Sequence, residues 1–450
     1  MIKNLTLKNF RAFKEQSFDF AKLNIFIGKN NSGKSSALSA LNVIAQTIRE
    51  QDLDGTPLIL NGPYDQLGTF IDVVNGNHPR RKIGIDLTID NYVIKTEYKY
   101  RTQRRQIELS SFDLHSRGKS VARFVQRKDA YDTYINGEPY ERLFPDAQKR
   151  RPRFRNFWPV RLSALRPIPG EEESKGSAVA QLRNAEATLF NARIKLEGHF
   201  TNFDSLSPFR DRPQRTYLYS GETAREIGTS GSNAAAMLAA DSAKRGSQRK
   251  NLVEDISNWF AYTGIAQGLS VVSLTPRHFE LCLISNDGSQ HNICDVGFGC
   301  SQVLPVLTAG LNLFNSDRDL SRVLIVQEPE IHLHPNAQAA IGSFFVNLVQ
   351  NSGQVFIETH SDNLVLRIAR HVALGDLDAN DVAIFYVSDM GDDRVTRISL
   401  TDTGGFTPDF PEGFFPQRQS ESLMLARAAM RRREGSLPKQ ISFDYPAIRP

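Results

Sequence analysis

Gly28-Lys29-Asn30-Asn31-Ser32-Gly33-Lys34-Ser35 fits the pattern G-x-x-x-x-G-K-[ST] at every constrained position. Such a loop turns its backbone N–H groups inward around a polyphosphate, and a helix that follows adds the positive end of its dipole. In that frame Lys34 reaches the outer phosphates and the Ser35 hydroxyl ligates Mg2+. Asn30, Asn31, Ser32 and Ser36 complete the set expected to line the phosphates. A second run, Val323-Leu324-Ile325-Val326-Gln327-Glu328-Pro329-Glu330, carries acids out of an apolar stretch. A buried strand that delivers a carboxylate to the phosphate loop can polarise the water that attacks a γ-phosphate, and Glu328 takes that place. A second acid, holding Mg2+ through water, normally precedes it. Gln327 stands there instead. An amide holds a water-shared cation less strongly than a carboxylate. Weak Mg2+ binding and slow turnover are therefore expected, with Glu330 as a partial substitute.

Three further clusters carry chemistry. Glu358-Thr359-His360-Ser361 follows the apolar run Val355 to Ile357, which aims His360 at the γ-phosphate. Asp295 to Pro305 contains Gly297, Gly299 and Ser301 ahead of a helix, where backbone N–H groups face an anion. His332 and His334 stand two apart and lack an evident third ligand for a metal.

These residues need elements to hold them. An apolar run, Leu23 to Ile27, enters the phosphate loop, and a helix-compatible stretch, Ser36 to Ile48, leaves it. Val323 to Val326, Val355 to Ile357 and Val382 to Val387 read as buried parallel strands. Residues 82 to 140 alternate apolar and polar positions, as an antiparallel meander does. A helix is expected over about Ser177 to Leu196. Its Leu182, Ala185, Leu189, Ala192 and Leu196 stripe covers two heptads, too few for a coiled coil, so it should pack on its own domain. Residues 149 to 166 are basic, with Phe154, Phe157 and Trp158 interleaved. Arginines beside aromatics suit phosphate contact with base stacking, and equally a solvated face or a subunit interface. Arg210, Arg212 and Arg215 form a sparser basic group expected near the nucleotide.

The chain's 450 residues are 40% hydrophobic and 23% charged, an ordinary globular balance. Its net charge of +5 permits an acidic partner without demanding one. No leader-like segment or bilayer-length apolar run is present, so a cytoplasmic protein without membrane contact is expected. Cys282, Cys294 and Cys300 lack zinc-type spacing and are read as reduced structural residues.

Together the motifs resemble the ABC-type P-loop ATPase heads of the RecF, SMC and OLD group. Asn9-Phe10-Arg11-Ala12-Phe13 looks like that group's opening strand motif, which brings Arg11 to the nucleotide. Gly28 to Ser35 looks like its Walker A, Gly297 to Gln302 its signature motif, and Gln327 to Glu330 with His332 to Pro335 its Walker B and D-loop. His360 looks like its switch histidine, and Gln66 like its Q-loop residue, a Mg2+ contact. The resemblance covers about 1 to 75 and 285 to 400. It implies an α/β fold: a P-loop ABC-ATPase-like head with an antiparallel β subdomain and a helical insertion. The expected divisions are 1–165, 166–284, 285–400 and a tail, 401–450, with a basic helix.

The resemblance further implies ATP and Mg2+ as cofactors, with Lys34, Glu328 and His360 catalytic. Gln327 and Gln66 join Ser35 around the metal. ATP on one head would be capped by the signature motif of another, giving a homo-oligomer. Standalone heads of this kind are similar to the ATPase components of Septu- and PARIS-type antiphage systems, which control a separate nuclease or toxin effector. The 401–450 tail is too short for the nuclease domain fused in OLD proteins. Two alternatives stay open: a RecF-like repair ATPase on DNA or RNA, and an assembly scaffold that hydrolyses little.

Overall fold

Apolar, β-branched runs with both faces covered build the middle of the molecule. The computed structural model describes residues 1–50, 55–128, 130–144, 152–160, 176–222, 224–314, 321–351, 353–388 and 394–411. Met1–Thr407 forms one compact unit, and Pro408–Pro450 forms a second, of which 408–411 are described. Among the described residues, seven strands make the central sheet of the first unit. Their order is Phe203–Leu206, Val323–Gln327, Gln354–Glu358, Leu23–Gly28, Val382–Val387, Val395–Leu400 and Phe406–Thr407. The first five run parallel. Every residue of Gln354–Glu358 and of Val382–Val387 is buried, as the apolar runs Val355 to Ile357 and Val382 to Val387 require, and Gln354 and Glu358 are buried polar ends. The helices Lys34–Arg49, Phe298–Phe314 and Pro335–Gln350 pack on this sheet. The strand that leads into the phosphate loop thus lies beside the His360 strand, with the Glu328 strand one further out.

A second, antiparallel sheet is built from eight strands among the described residues: Phe13–Asp19, Ile2–Phe10, then the meander from Ile83–Ile89 to Glu138–Pro139. The alternation over 82–140 is thereby accounted for. Phenylalanines tie the two sheets together. Phe20 meets Phe356 edge-on at 4.9 Å, and Phe18 meets Phe385 at 5.5 Å. The helix Gly176–Thr201 packs on the Lys34–Arg49 helix and on the strand Lys119–Arg127. Its Leu182, Ala185, Leu189, Ala192 and Leu196 stripe is buried there. A smaller antiparallel sheet, with His278–Ile284 at its centre, precedes the Phe298–Phe314 helix.

The structure corrects the reading of the aromatics in the basic stretch. Arg153–Arg155 and Trp158–Val160 pair as a hairpin. Trp158 is buried edge-on to Phe112 at 5.1 Å, and Phe154 packs on Tyr131 at 4.9 Å and Phe124 at 5.6 Å. Hydrophobic burial claims Phe157 and Trp158, so they offer no face to a base, and Phe154 is half-buried against Tyr131 and Phe124. Lys149, Arg150, Arg151, Arg161 and Arg166 lie outside the described residues, as does the basic C-terminal helix expected near Arg431–Arg433. No helix among the described residues is long and apolar enough to cross a membrane.

Asp204, on the edge strand, is buried, and burial pushes its carboxyl up to about 7. Its Oδ1 accepts the Ile227 N–H at 3.0 Å. The folded state thus holds a proton that the unfolded chain releases near its ordinary value of 3.8. The resulting stabilisation is complete below that lower value and is lost as pH rises through about 7. Asp204→Asn keeps the acceptor without the charge. It is expected to flatten the urea-stability profile between those pH values and to gain a few kcal/mol at pH 8.

Candidate active site

The phosphate loop begins where the Leu23–Gly28 strand ends. Gly28 has φ +150°, and a Cβ there would lie 2.1 Å from the Val387 carbonyl oxygen, so a side chain is barred. Asn31 takes a left-handed φ of +64°, which asparagine tolerates. Gly33 stands at the N-cap of the 16-residue helix that starts at Lys34, and no side chain caps it. The Ser36 N–H turns back to the Gly33 carbonyl at 2.9 Å, and no side chain occupies the helix start where an anion would sit. Lys34 is 4% exposed. Its ammonium donates to the carbonyls of Gly28 at 2.9 Å and Lys29 at 2.7 Å. Burial pulls its pKa below the ordinary value, while Glu358, Glu328 and Glu330 act in the opposite direction. The Ser32 hydroxyl is buried and makes no hydrogen bond among the described residues.

A cleft of about 560 Å3 opens over this loop. Asn30, Asn31, Gly33, Lys34, Ser35 and Ser36 line one wall, with Arg11 beside them. Arg11 donates to the Ser39 hydroxyl of the same helix at 3.0 Å. Glu328, Glu358 and His360 line the same cleft. The chain thus gathers residues from three distant stretches at the carboxyl ends of parallel strands, where α/β sheets place their ligands. A larger cavity, about 690 Å3, sits near the amino end of the Phe203 strand and mixes Arg49 and Lys250 with Glu226 and Asp204. None of the phosphate-loop residues lines it; they line the smaller cleft.

Glu328 adopts φ +48°, a left-handed conformation unusual for glutamate and of the kind that collects at active sites. Its N–H donates to the Glu358 carbonyl at 2.7 Å. Arg210 fixes the turn from behind, donating to the carbonyls of Gln327 at 2.8 Å and Glu328 at 3.3 Å. Burial lowers the Arg210 pKa to about 10, and Glu330 and Glu328 oppose that shift. Arg210 therefore stays charged and supports the turn, while Arg215 pairs at the surface with Asp295. Glu330 is not the substitute acid that the sequence suggests. Its Oε1 accepts the His360 N–H at 2.6 Å, which turns the buried carboxylate toward the histidine loop. Burial raises its pKa. His360 reaches solvent at the cleft. Partial burial and then Lys34 lower its pKa from 6.5, against Glu328 and Glu358, which favours the neutral ring at pH 7.

Gln327 does not itself line the cleft. Its amide donates to Glu358 Oε2 at 2.8 Å, and the Ser35 hydroxyl donates to Oε1 of the same carboxylate at 2.9 Å. Sequence reasoning missed Glu358, whose only signal was its place before Thr359 and His360. Gln66 is exposed, bridges to Asn61 and is not among the residues lining the cleft. Gly297, Gly299 and Ser301 also lie outside this cleft, at the start of the Phe298–Phe314 helix. The Ser301 hydroxyl donates to the Phe298 carbonyl at 2.8 Å. His334 caps the Pro335–Gln350 helix, and His332 packs edge-on to Phe298 at 5.1 Å.

Gly299 is a packing glycine. A Cβ there would come 2.5 Å from the His332 carbonyl oxygen, which backbone cannot easily yield. Gly299→Ala is expected to cost about 1–3 kcal/mol by overpacking, read as a lowered urea midpoint.

Cradle, buried ammonium, uncapped helix and facing acids fit a nucleotide's phosphates and a magnesium ion. The fold and this site define a P-loop ATPase. The chain matches the AAA ATPase domain family over residues 1–142 and 222–365, more than half its length, and it belongs to that family. No curated protein matches it. Among solved structures it is similar to an SMC head bound to the winged-helix domain of ScpA, at 13% identity and a TM-score of 0.37, covering 89% of this chain and 97% of that one. It is similar also to the SMC head domain from Thermotoga maritima, at 10% identity and TM-score 0.36, covering 89% and 99%. A third is an Smc head with an extended coiled coil bound to the C-terminal domain of ScpA, from Pyrococcus furiosus, at 13% and 0.37, covering 95% and 99%. Overlap this loose decides nothing about the activity of the present chain.

Proposed function

We propose that the protein is an ATP-hydrolysing switch whose copies close on one another around bound ATP. One observation carries the reading: the buried Lys34 ammonium sits on the Gly28 and Lys29 carbonyls, in a cleft walled by Glu328 and His360. Those carbonyl bonds can be exchanged for phosphate oxygens at little cost, because one charge-assisted contact replaces another. Ser35 would hold Mg2+, which neutralises charge on the β- and γ-phosphates. Glu328 accepts the proton of the attacking water, or orients that water, as the γ-phosphorus is attacked in line. Lys34 stabilises the charge that develops. His360 and Arg11 line the same cleft, where the ring would meet the γ-phosphate and the guanidinium would flank the nucleotide.

The closing of two copies draws on the signature residues. Gly297, Gly299 and Ser301 do not line the cleft of their own chain, and neighbouring Phe298 is 45% exposed. Gly297 and Phe298 are exposed at this helix start and would meet the nucleotide of a second copy, with Gly299 and Ser301 shaping the turn behind them. A charged triphosphate buried between two faces makes their association depend on the γ-phosphate. In this reading the switch acts in the cytoplasm and governs a separate nuclease or toxin effector in an antiphage setting, which rests on the likeness of the motifs alone. Light-scattering mass with ATP, with ADP and without nucleotide tests the switch. A doubled mass with ATP only is expected, and a mass indifferent to nucleotide overturns it.

A further inference from the structure

The Val323–Gln327 strand ends on an amide where the resemblance calls for an acid, yet the site does not lack a carboxylate. Gln327 and Glu358 are direct partners in the parallel ladder. Glu358 therefore occupies the corresponding place one strand over, on the strand that adjoins Leu23–Gly28. It is 5% exposed. Its two oxygens accept from Ser35 and from Gln327. We propose that Glu358 supplies the acid of the magnesium site beside Ser35, and that Gln327 orients it. The inference rests on the ATPase reading above.

Several observations support this assignment over a purely structural role. Burying a carboxylate is costly unless a cation or strong donors answer it. The two side-chain donors here are neutral, a hydroxyl and an amide, and the Lys34 ammonium, though close enough to feel the Glu358 charge, donates to the Gly28 and Lys29 carbonyls instead. A glutamine at 358 would accept the same Ser35 bond with no charge to desolvate. A hard cation would use a carboxylate in this place, because Mg2+ takes oxygen ligands, retains several waters and is held through one or two carboxylates. The hydroxyl that Glu358 accepts from is the one the phosphate-loop motif assigns to that ion.

The same register explains Gln327. Acids at both 327 and 358 would set like charges side by side at adjacent strand ends, where they repel. An amide can donate to one Glu358 oxygen and leave that carboxylate oriented toward Ser35. The neutral residue at 327 and the acid at 358 thus form one device, with the negative charge moved one strand nearer the phosphate loop. The weak metal site expected from Gln327 alone does not follow once Glu358 is counted.

The test is equilibrium dialysis of radiolabelled ATP against the full chain across a Mg2+ titration. The readout is the Mg2+ concentration that gives half-maximal ATP binding. Glu358→Gln is expected to raise that concentration about tenfold or more, the usual scale for losing a group that supports a metal. ATP binding in EDTA is expected to be no weaker than in the parent. The exchange variant Gln327→Glu with Glu358→Gln returns the carboxylate to the neighbouring strand and is expected to restore most of the Mg2+ response. A merely structural role predicts no such rescue. Should Glu358→Gln fail to fold, the exchange variant alone decides, and loss of its Mg2+ response overturns the proposal. A parental Mg2+ requirement in folded Glu358→Gln overturns it as well, while leaving the ATPase reading intact. A parent chain that binds no ATP at any Mg2+ concentration overturns that reading itself.

Discussion

Lys34→Ala is expected to lose ATP binding, with affinity down by roughly a hundredfold or more. The side chain is 4% exposed and is the buried ammonium that faces Glu328, Glu358 and Glu330. Removing a buried, hydrogen-bonded charge from a binding site costs about 2–5 kcal/mol, and each 1.4 kcal/mol is a factor of ten. The alanine also leaves the Gly28 and Lys29 carbonyls of the empty loop without their donor, which loosens the cradle before ATP arrives. Dialysis against labelled ATP reads the loss, and circular dichroism confirms that the variant is folded. A folded Lys34→Ala protein that holds ATP as tightly as the parent would show that this cleft is not the nucleotide site.

What could be read from the sequence divides along a physical line. Gly28 to Ser35 is contiguous, and its chemistry depends on local backbone turns, so spacing alone locates it. Val323 to Val326 and Val355 to Ile357 are legible for a related reason: strands covered on both faces cannot afford polar positions. Glu358 was illegible because its meaning is a register. Only the pairing of residue 327 with 358, and of Glu358 with Phe26, brings its carboxylate between Ser35 and Gln327.

The errors have the same origin. Phe154, Phe157 and Trp158 suit a stacking platform among arginines as well as a packed face, and the large antiparallel sheet buries Phe157 and Trp158 and half-buries Phe154. Glu330 looks like a spare acid, but the turn after Glu328 carries it to the His360 N–H. Gln66 follows a plausible spacing, and the short bridge to Asn61 holds it away from the cleft. Phe203–Leu206 has too little apolar signal to announce a sheet strand. Its parallel register with Val323–Val326 is a long-range fact. In each case the residue type was informative, and the partner that fixed its role came from a distant part of the chain.

Glu328→Gln separates binding from chemistry, and it is expected to trap ATP in the associated state. Glutamine keeps the length of the side chain and the hydrogen-bonding backbone, so the left-handed turn held by Arg210 and the Glu358 carbonyl should persist. What it loses is the ability to accept a proton from water. A positioned general base contributes about 10²–10⁴-fold to a reaction, so phosphate release should fall by roughly that factor while ATP affinity is retained. With hydrolysis blocked, the nucleotide that joins two copies is not consumed, and the larger species should accumulate with ATP and remain on dilution. Glu358→Gln should behave differently. It shifts the Mg2+ requirement for binding, whereas Glu328→Gln leaves that requirement alone. The two acids, though neighbours through one backbone hydrogen bond, therefore have distinguishable signatures: one variant fails to load at low Mg2+, the other loads and fails to release. An unaltered rate of phosphate release from Glu328→Gln would remove Glu328 as the base and would turn attention to His360, another proton acceptor lining the cleft.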